Sequence, residues 1–304
     1  MGSTVCAESS IEGARVQCVK DMGIVKGIIQ DMGLTINESK TEMGQDLVLL
    51  GVALSTIANE GKNCTAALTE KRRLLIASKC LELMHHKGAI RVSILKSFLG
   101  LLVFASQVIF GSRLYLRSGY ALVNAVPDSR KHAMVTISDA FRQDCAWWRR
   151  MMLKPEYCGT ILNKWTASDS IVAWDASMWG MGGFCRNEQF SIAWADCNST
   201  GVADSDLAPT EGTNTWHINY MELFACFTAI AWFGPKLRGT AIVAVTDSTS
   251  VEAWIGKLWG PSHTIPLLKR LHLMLIRFDI RLLPVHVGSK ANTRADALSR
   301  GVVA

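Results

Sequence analysis

Four acidic residues in the C-terminal half stand near the ends of predicted strands and helices. Asp175 lies in the strand-like run IVAWDAS, and Glu222 lies near the start of the helix-like run INYMELFACFTAIAWF. Asp247 directly follows the strand-like run TAIVAVT, and Asp296 lies in the helical tail TRADALSR. Each acid alone has a structural explanation, as a turn acceptor, a helix cap or a first-turn acid.

Considered together, the four acids indicate a cation site. A carboxylate in the otherwise apolar strand of Asp175 is costly unless it is paired or metal-bound. Small residues follow Glu222 at +3, +4 and +7, so this helix face is expected to pack closely on a sheet with Glu222 pointing at it. Asp247 ends its strand, where α/β sites usually form. Converging carboxylates without Cys or His partners favour Mg²⁺, and paired Mg²⁺ ions can cleave phosphodiesters.

The elements that must position these acids follow an α/β order. After residue 170 the hydrophobic pattern predicts three strands, a helix, a strand, two helices, a strand and a tail helix, which indicates a mixed sheet. Upstream, the pattern predicts a helix over 19–33, a hairpin over 47–56 and helices after Thr69, over about 91–110 and after Ser138. The turn-rich stretch 155–170 is the expected domain boundary.

Composition limits the class of protein. The chain has 304 residues, of which 49% are hydrophobic and 19% charged, so a folded globular protein is expected. Nine cysteines without C-x-x-C spacing, and no signal-like N-terminus, favour an intracellular setting, cytoplasmic or nuclear. The most apolar stretch, 98–110, is too short to span a bilayer, so no membrane partner is expected.

Charge is divided unevenly along the chain. Residues 1–164 contain 21 Lys and Arg against 14 Asp and Glu, whereas residues 165–304 contain 11 against 12. A basic half beside an acid-bearing half is compatible with a polyanion held by its phosphates. The adjacent Trp147 and Trp148 are predicted to be core residues rather than base-stacking ones.

Four stretches resemble the ribonuclease H domain of retrotransposon polyproteins of the long-terminal-repeat or tyrosine-recombinase type: WDAS, HINYMELFA, AVTDSTS and HVGSKANTRADALSR. The resemblance covers 165–304 and implies a five-stranded mixed sheet with flanking helices. It also implies four catalytic, metal-binding carboxylates, which fall on Asp175, Glu222, Asp247 and Asp296. The family's mobile histidine falls on His286, for which a simple strand-end hydrogen bond is the alternative role.

A looser resemblance extends upstream. The run GLTINESK and the hairpin LLGVALST resemble the end of a reverse transcriptase palm, which predicts a palm remnant over 1–60. The apolar helices with basic residues over 61–155 resemble the thumb and connection segments that follow. Lys40 would match the motif lysine near the incoming nucleotide.

The resemblance implies a ribonuclease H, a metal-dependent endonuclease that cuts the RNA strand of an RNA–DNA hybrid with two Mg²⁺ ions, for which Mn²⁺ can substitute. Serines beside the acids are candidates for contacts to 2′-hydroxyls, and basic residues upstream are candidates for phosphate contacts. These predicted nucleic-acid contacts are Ser177, Ser248, Lys40, Lys71, Arg72, Arg73, Arg113 and Arg117.

Two other functions stay open at this point. One is a non-catalytic nucleic-acid-binding remnant of a decayed element, against which the four acids argue. The other is a transposase or integrase core of the same fold, against which the tail motif argues.

No Asp-Asp pair occurs in the sequence, so DNA polymerisation is not expected. The chain is expected to begin after the polymerase's catalytic turn and to carry no integrase. A polymerase-competent chain of the same element is therefore a second candidate partner.

Overall fold

The computed structural model describes residues 11–57, 64–127, 132–161, 170–197, 205–210 and 213–302. The helices of this part are α1 (Ile11–Asp31), α2 (Glu70–His85), α3 (Val92–Ala105), α4 (Arg117–Asn124), α5 (Asp139–Met152), α6 (Ile218–Phe233), α7 (Thr249–Lys257), α8 (Ile265–Phe278) and α9 (Thr293–Ser299). The strands are β1 (Asp46–Leu49), β2 (Val52–Ser55), β3 (Thr65–Leu68), β4 (Ala89–Arg91), β5 (Met134–Thr136), β6 (Gly159–Ile161), β7 (Ile171–Ala176), β8 (Gly180–Cys185), β9 (Glu188–Ala193), β10 (Ala241–Thr246) and β11 (Arg281–His286).

A mixed five-stranded sheet forms the C-terminal part, in the order β11-β10-β7-β8-β9. Strands β7, β8 and β9 form an antiparallel meander, whereas β10 runs parallel to both β7 and β11. Helix α6 packs against β7 and β8, and α9 packs against all three strands of the meander. The predicted five-stranded mixed sheet with flanking helices is therefore confirmed.

The N-terminal part contains a four-stranded sheet, β1-β2-β3-β6, and a two-stranded sheet, β4-β5, beside helices α2 to α5. Strands β1 and β2 pair around Leu50 and Gly51, whose φ angles are 53° and 85°. Two consecutive left-handed residues make the tight turn that matches strand twist in a hairpin, so the hairpin predicted over 47–56 is confirmed.

Two helices differ from the predicted bounds. Helix α1 begins at Ile11, well before residue 19. Helix α3 ends at Ala105, short of residue 110. There the Ser106 hydroxyl donates to the Val103 carbonyl (2.7 Å), and Gly111 adopts a left-handed φ of 67°.

One hydrophobic core joins the helical and sheet parts of the described chain. Trp148 is fully buried, and Trp147 stacks on Tyr115 with ring centroids 3.7 Å apart. Both tryptophans are therefore core residues, as predicted. Among the described residues, no helix combines the length and apolar character that crossing a bilayer requires.

Candidate active site

Three of the predicted acids meet at one edge of the sheet. Asp175 lies near the end of β7, and Asp247 directly follows β10, which runs parallel to β7. Parallel strands bring their carboxyl ends to the same edge, which explains how residues 72 positions apart converge. Asp175, Glu222 and Asp247 each offer a carboxylate oxygen, and these three atoms all lie within 4.8 Å of one another.

Glu222 reaches this edge from helix α6. The small residues that follow it, Ala225, Cys226 and Ala229, are fully buried, so this helix packs closely, as their size predicted. Glu222 Oε1 accepts a hydrogen bond from the Ala176 backbone N–H (3.0 Å), which ties the helix to the end of β7. Glu222 Oε2 is buried and has no hydrogen-bond partner within the described part of the chain.

Asp296 lies at the rim of this group rather than within it. It is half-buried on α9 and lines the same cleft as the other three acids. Arg300 donates to Asp296 Oδ1 from both Nε (3.0 Å) and Nη2 (2.9 Å). The structure therefore brings three of the four predicted acids within shared-ligand distance and places the fourth beside them, held by an arginine.

Two supporting residues were missed at the level of sequence. The Ser299 hydroxyl donates to Asp175 Oδ2 (2.7 Å), and Ser299 is buried between α9 and the sheet. Arg300 forms the pair with Asp296. Ser299 and Arg300 follow Asp296 at i+3 and i+4, which places them on the same side of a helix as this acid. This spacing was the sequence signal that could have indicated their role.

Burial dominates the acid–base behaviour of the site. Removal from water, together with the nearby charges of Asp175, Asp247 and Asp296, raises the pKa of Glu222 to about 9, against the hydrogen bond from the Ala176 N–H. Burial likewise raises the pKa of Asp175 to about 6, against the hydrogen bond from Ser299. Without a cation the site therefore retains protons near neutral pH.

The donor set fits a hard divalent cation. The three converging groups are all carboxylates, and one buried oxygen, Glu222 Oε2, lacks a partner among the described residues. Oxygen-only ligands suit Mg²⁺ or Mn²⁺ rather than softer metals. A cation would also offset the repulsion between carboxylates that contributes to the raised pKa values of Asp175 and Glu222.

His286 ends strand β11 beside the site. Its register partner in β10 is Thr246, and its Nε2 lies 3.1 Å from the Asp247 backbone oxygen. The side chain is exposed, so both a strand-end hydrogen bond and a role in the cleft are compatible with its position. Downstream, Asn292 is buried and donates to the Trp174 carbonyl (3.0 Å), which fixes the start of α9.

The two candidate serines have structural contacts. Ser177 is buried and donates to the Ser299 carbonyl (2.8 Å), so it joins the β7–β8 turn to α9. Ser248 caps helix α7 by accepting from the Val251 N–H (3.3 Å). Both also line the cleft, so their contact with 2′-hydroxyls stays a prediction.

The six predicted phosphate-binding residues differ in their contacts within the protein. Three arginines donate to backbone carbonyls within the protein: Arg72 to Leu50 (3.0 Å), Arg73 to Met152 (2.9 Å) and Arg117 to Gly260. Lys71 and Arg113 are exposed. Lys40 ends the short turn Glu38–Lys40, and its side chain lies outside the described residues. Phosphate binding by all six stays a prediction.

The acids form the floor of an open cleft of about 610 Å³. We call it the acidic cleft. Its lining is mostly polar, with Asn219, Ser250 and Ser289 on the walls, whereas Met178, Trp179 and Ile218 form apolar parts of the rim. The cleft is thus a polar, carboxylate-floored groove open to a large substrate.

No protein-family model matches the chain, and no curated protein matches it. Among solved structures, it is similar to the foamy viral protease-reverse transcriptase dRH in complex with ds DNA, at 13% identity and a TM-score of 0.37, covering 90% of this chain and 43% of that one. It is also similar to the foamy viral protease-reverse transcriptase in complex with RNA/DNA hybrid, at 11% identity and a TM-score of 0.34, covering 97% of this chain and 57% of that one. Both TM-scores lie below 0.5. The candidate function is therefore derived from the residues of the acidic cleft alone.

Proposed function

We propose that this chain is a ribonuclease H, an endonuclease that cuts the RNA strand of RNA–DNA hybrids, and that it is part of a retroelement reverse transcriptase. The observation that carries the proposal is the convergence of Asp175, Glu222 and Asp247, with Asp296 beside them. The five-stranded sheet with acids at these positions is what the resemblance to ribonuclease H implies. We also propose that residues 165–304 form this domain, after a palm remnant (1–60) and a thumb-like segment (61–155).

The acids would hold two Mg²⁺ ions, or Mn²⁺ in their place, with Asp175, Glu222 and Asp247 as the main ligands and Asp296 completing the second site. Bound there, the cations would activate the attacking water and stabilise the leaving oxygen. Glu222 must lose its proton for this binding, and Ser299 orients the Asp175 carboxylate toward the cleft floor. Arg300 holds Asp296 at the rim, where it neutralises part of the site's negative charge.

A cleavage assay tests the proposal. The protein is incubated with labelled RNA–DNA hybrid and Mg²⁺ or Mn²⁺, with and without chelator, beside Asp247→Asn. We expect cleavage of the RNA strand that chelator abolishes. The Asp247→Asn variant should reduce cleavage on the order of a hundredfold or more, since even the residues that support metal ligands cost roughly 10–100-fold. Equal cleavage by wild type and variant would disprove the nuclease. Cleavage of duplex DNA with the hybrid intact would favour a transposase-type core.

His286 is proposed to assist proton transfer or product release. Its exposed ring contacts the Asp247 carbonyl beside the site, and it is not one of the converging ligands. We expect His286→Ala to slow turnover on the order of tenfold or more, with Mn²⁺ affinity retained, because acid–base groups act on rate rather than on metal binding. Single-turnover and steady-state rates measure this effect. Unchanged turnover would leave His286 only its strand-end hydrogen bond.

A further inference from the structure

Trp179 is an exposed aromatic residue on the rim of the acidic cleft. Its side chain is 73% exposed, and its neighbour Met178 is 56% exposed. Both lie in the β7–β8 turn, three and four residues after Asp175, and both line the cleft. Large apolar side chains at a polar, carboxylate-floored groove indicate a contact surface rather than a packing site.

The turn that carries Trp179 is held by hydrogen bonds on every side. Ser177 Oγ accepts from the Trp179 and Gly180 N–H groups (3.2 and 3.3 Å), and the Ser177 N–H donates to the Gly180 carbonyl (2.9 Å). The Trp194 N–H donates to the Trp179 carbonyl (3.1 Å), and its indole N–H donates to the Ser177 carbonyl (2.8 Å). The backbone is therefore fixed while the indole of Trp179 faces solvent.

The same turn is fixed relative to the acids. The Ser177 hydroxyl donates to the Ser299 carbonyl, and the Ser299 hydroxyl donates to Asp175. The backbone that carries Trp179 is therefore held at a fixed place relative to the floor of the acidic cleft. An indole on a fixed backbone has only its own side-chain rotations to lose when it contacts a substrate.

We propose that Trp179 contacts the nucleic acid by packing its indole against the sugars and base edges exposed in the shallow minor groove of the hybrid. This inference rests on the proposed function and adds a residue that holds the substrate over the acids. An A-form duplex presents a wide, shallow minor groove, against which a flat ring can lie. The polar walls, with Asn219, Ser250 and Ser289, supply hydrogen-bonding groups beside the ring, as a nucleic-acid surface requires.

The test compares Trp179→Ala, Trp179→Phe and a control, Trp232→Ala. Trp232 is also exposed (39%) but packs against Phe190, away from the cleft lining. Fluorescence anisotropy with labelled RNA–DNA hybrid in chelator gives affinity without cleavage, and steady-state assays with Mg²⁺ give kcat and KM. Thermal unfolding of each variant checks that the fold is intact.

We expect Trp179→Ala to raise the hybrid Kd and KM about tenfold with kcat changed less than about threefold, the effect of losing one aromatic–nucleotide contact. Trp179→Phe retains a ring and should keep most of the affinity, and Trp232→Ala should bind as wild type does. If Trp179→Ala binds as wild type while Asp247→Asn fails to cut, the inference is wrong and the proposed function stands. If wild type cuts no hybrid but Trp179→Ala still weakens binding, the contact stands without the nuclease. If wild type neither binds the hybrid in chelator nor cuts it with Mg²⁺, both fail.

Discussion

At the scale of single residues, the site depends on buried charge. Glu222 and Asp175 lie 4% and 5% exposed, yet each needs to be ionised to bind a cation. Ser299 and the Ala176 N–H each satisfy one carboxylate oxygen, and Glu222 Oε2 is left without a partner in the described chain. The described protein groups therefore satisfy these carboxylates only in part, and a bound cation would supply the remaining contact and the opposite charge.

Glu222→Gln should remove most of the pH dependence of stability between about pH 5 and pH 9 in the metal-free protein. The folded pKa of Glu222, about 9, lies above the value of about 4.3 expected in an unfolded chain, so the folded state binds the extra proton. The stabilisation is complete below the unfolded pKa and is lost as the pH rises toward about 9. We expect wild type to lose on the order of a few kcal/mol between about pH 5 and pH 9, and the variant much less.

Urea unfolding at several pH values in chelator measures this. Asp279→Asn, which changes a carboxylate at the C-terminal cap of α8 away from the cleft, serves as the control. Parallel pH profiles for wild type and Glu222→Gln would contradict the assignment of the titrating group. Added Mn²⁺ should remove most of the wild-type loss at high pH, because it binds the ionised site.

At the scale of elements, close packing of α9 on the meander positions Asp296 and Ser299. Gly182 in β8 lies so near this helix that a Cβ there would be 2.4 Å from the Leu298 Cβ. The Ser191 hydroxyl also donates to the Leu298 carbonyl (2.6 Å). The final helix therefore reaches the site only because β8 lacks a side chain at this point.

Gly182→Ala should displace α9 and impair both stability and cleavage. Overpacking of this kind costs about 1–3 kcal/mol, and the shift would move Ser299 away from Asp175. Gly288→Ala is the matched control, because a Cβ at Gly288 meets nothing within 4 Å and its φ of −67° suits alanine. Thermal unfolding and hybrid cleavage report the two effects. Wild-type behaviour of Gly182→Ala would show that α9 is not held by this contact.

At the scale of the whole molecule, the helical and sheet parts share polar contacts as well as a core. Asp144 on α5 is 1% exposed and pairs with Lys269 on α8, while Ser118 also donates to it. His272 on α8 is buried against the Phe110 carbonyl (2.9 Å). Burial lowers the pKa of this histidine to about 4. The domain boundary predicted at 155–170 stays a prediction, and residues 162–169 lie outside the described chain.

Lys269→Met should destabilise the protein strongly. It leaves the Asp144 carboxylate buried with only Ser118, and removing one partner of a buried ion pair costs about 3–5 kcal/mol. Adding Asp144→Asn to this variant should restore much of the stability. Lys236→Met is the control, because its pair with Glu188 is exposed and such pairs contribute only about 0–1 kcal/mol. Equal urea midpoints for the two lysine variants would contradict the importance of the buried pair.

After residue 170, the sequence predicted which elements form and where the acids stand along them. Local periodicity is enough for the strand–helix order after residue 170, because alternation and helical spacing are properties of neighbouring residues. It also indicated the hairpin over 47–56 from β-rich residues around a glycine. It did not predict the contacts of Arg72, Arg73 and Arg117, since backbone carbonyls that bind them come from distant parts of the chain.

By itself, then, the sequence determined an α/β chain with four ordered acids and no Asp-Asp pair. Only the tertiary structure decided that three acids meet within 4.8 Å while Asp296 pairs with Arg300 at the rim. It also decided that Glu222 is buried with one oxygen that has no partner among the described residues, and that Trp179 is exposed where it lines the same cleft. The physical reason is that distance and solvent exposure depend on how remote segments pack, through the parallel β7–β10 pairing and the Gly182–Leu298 contact.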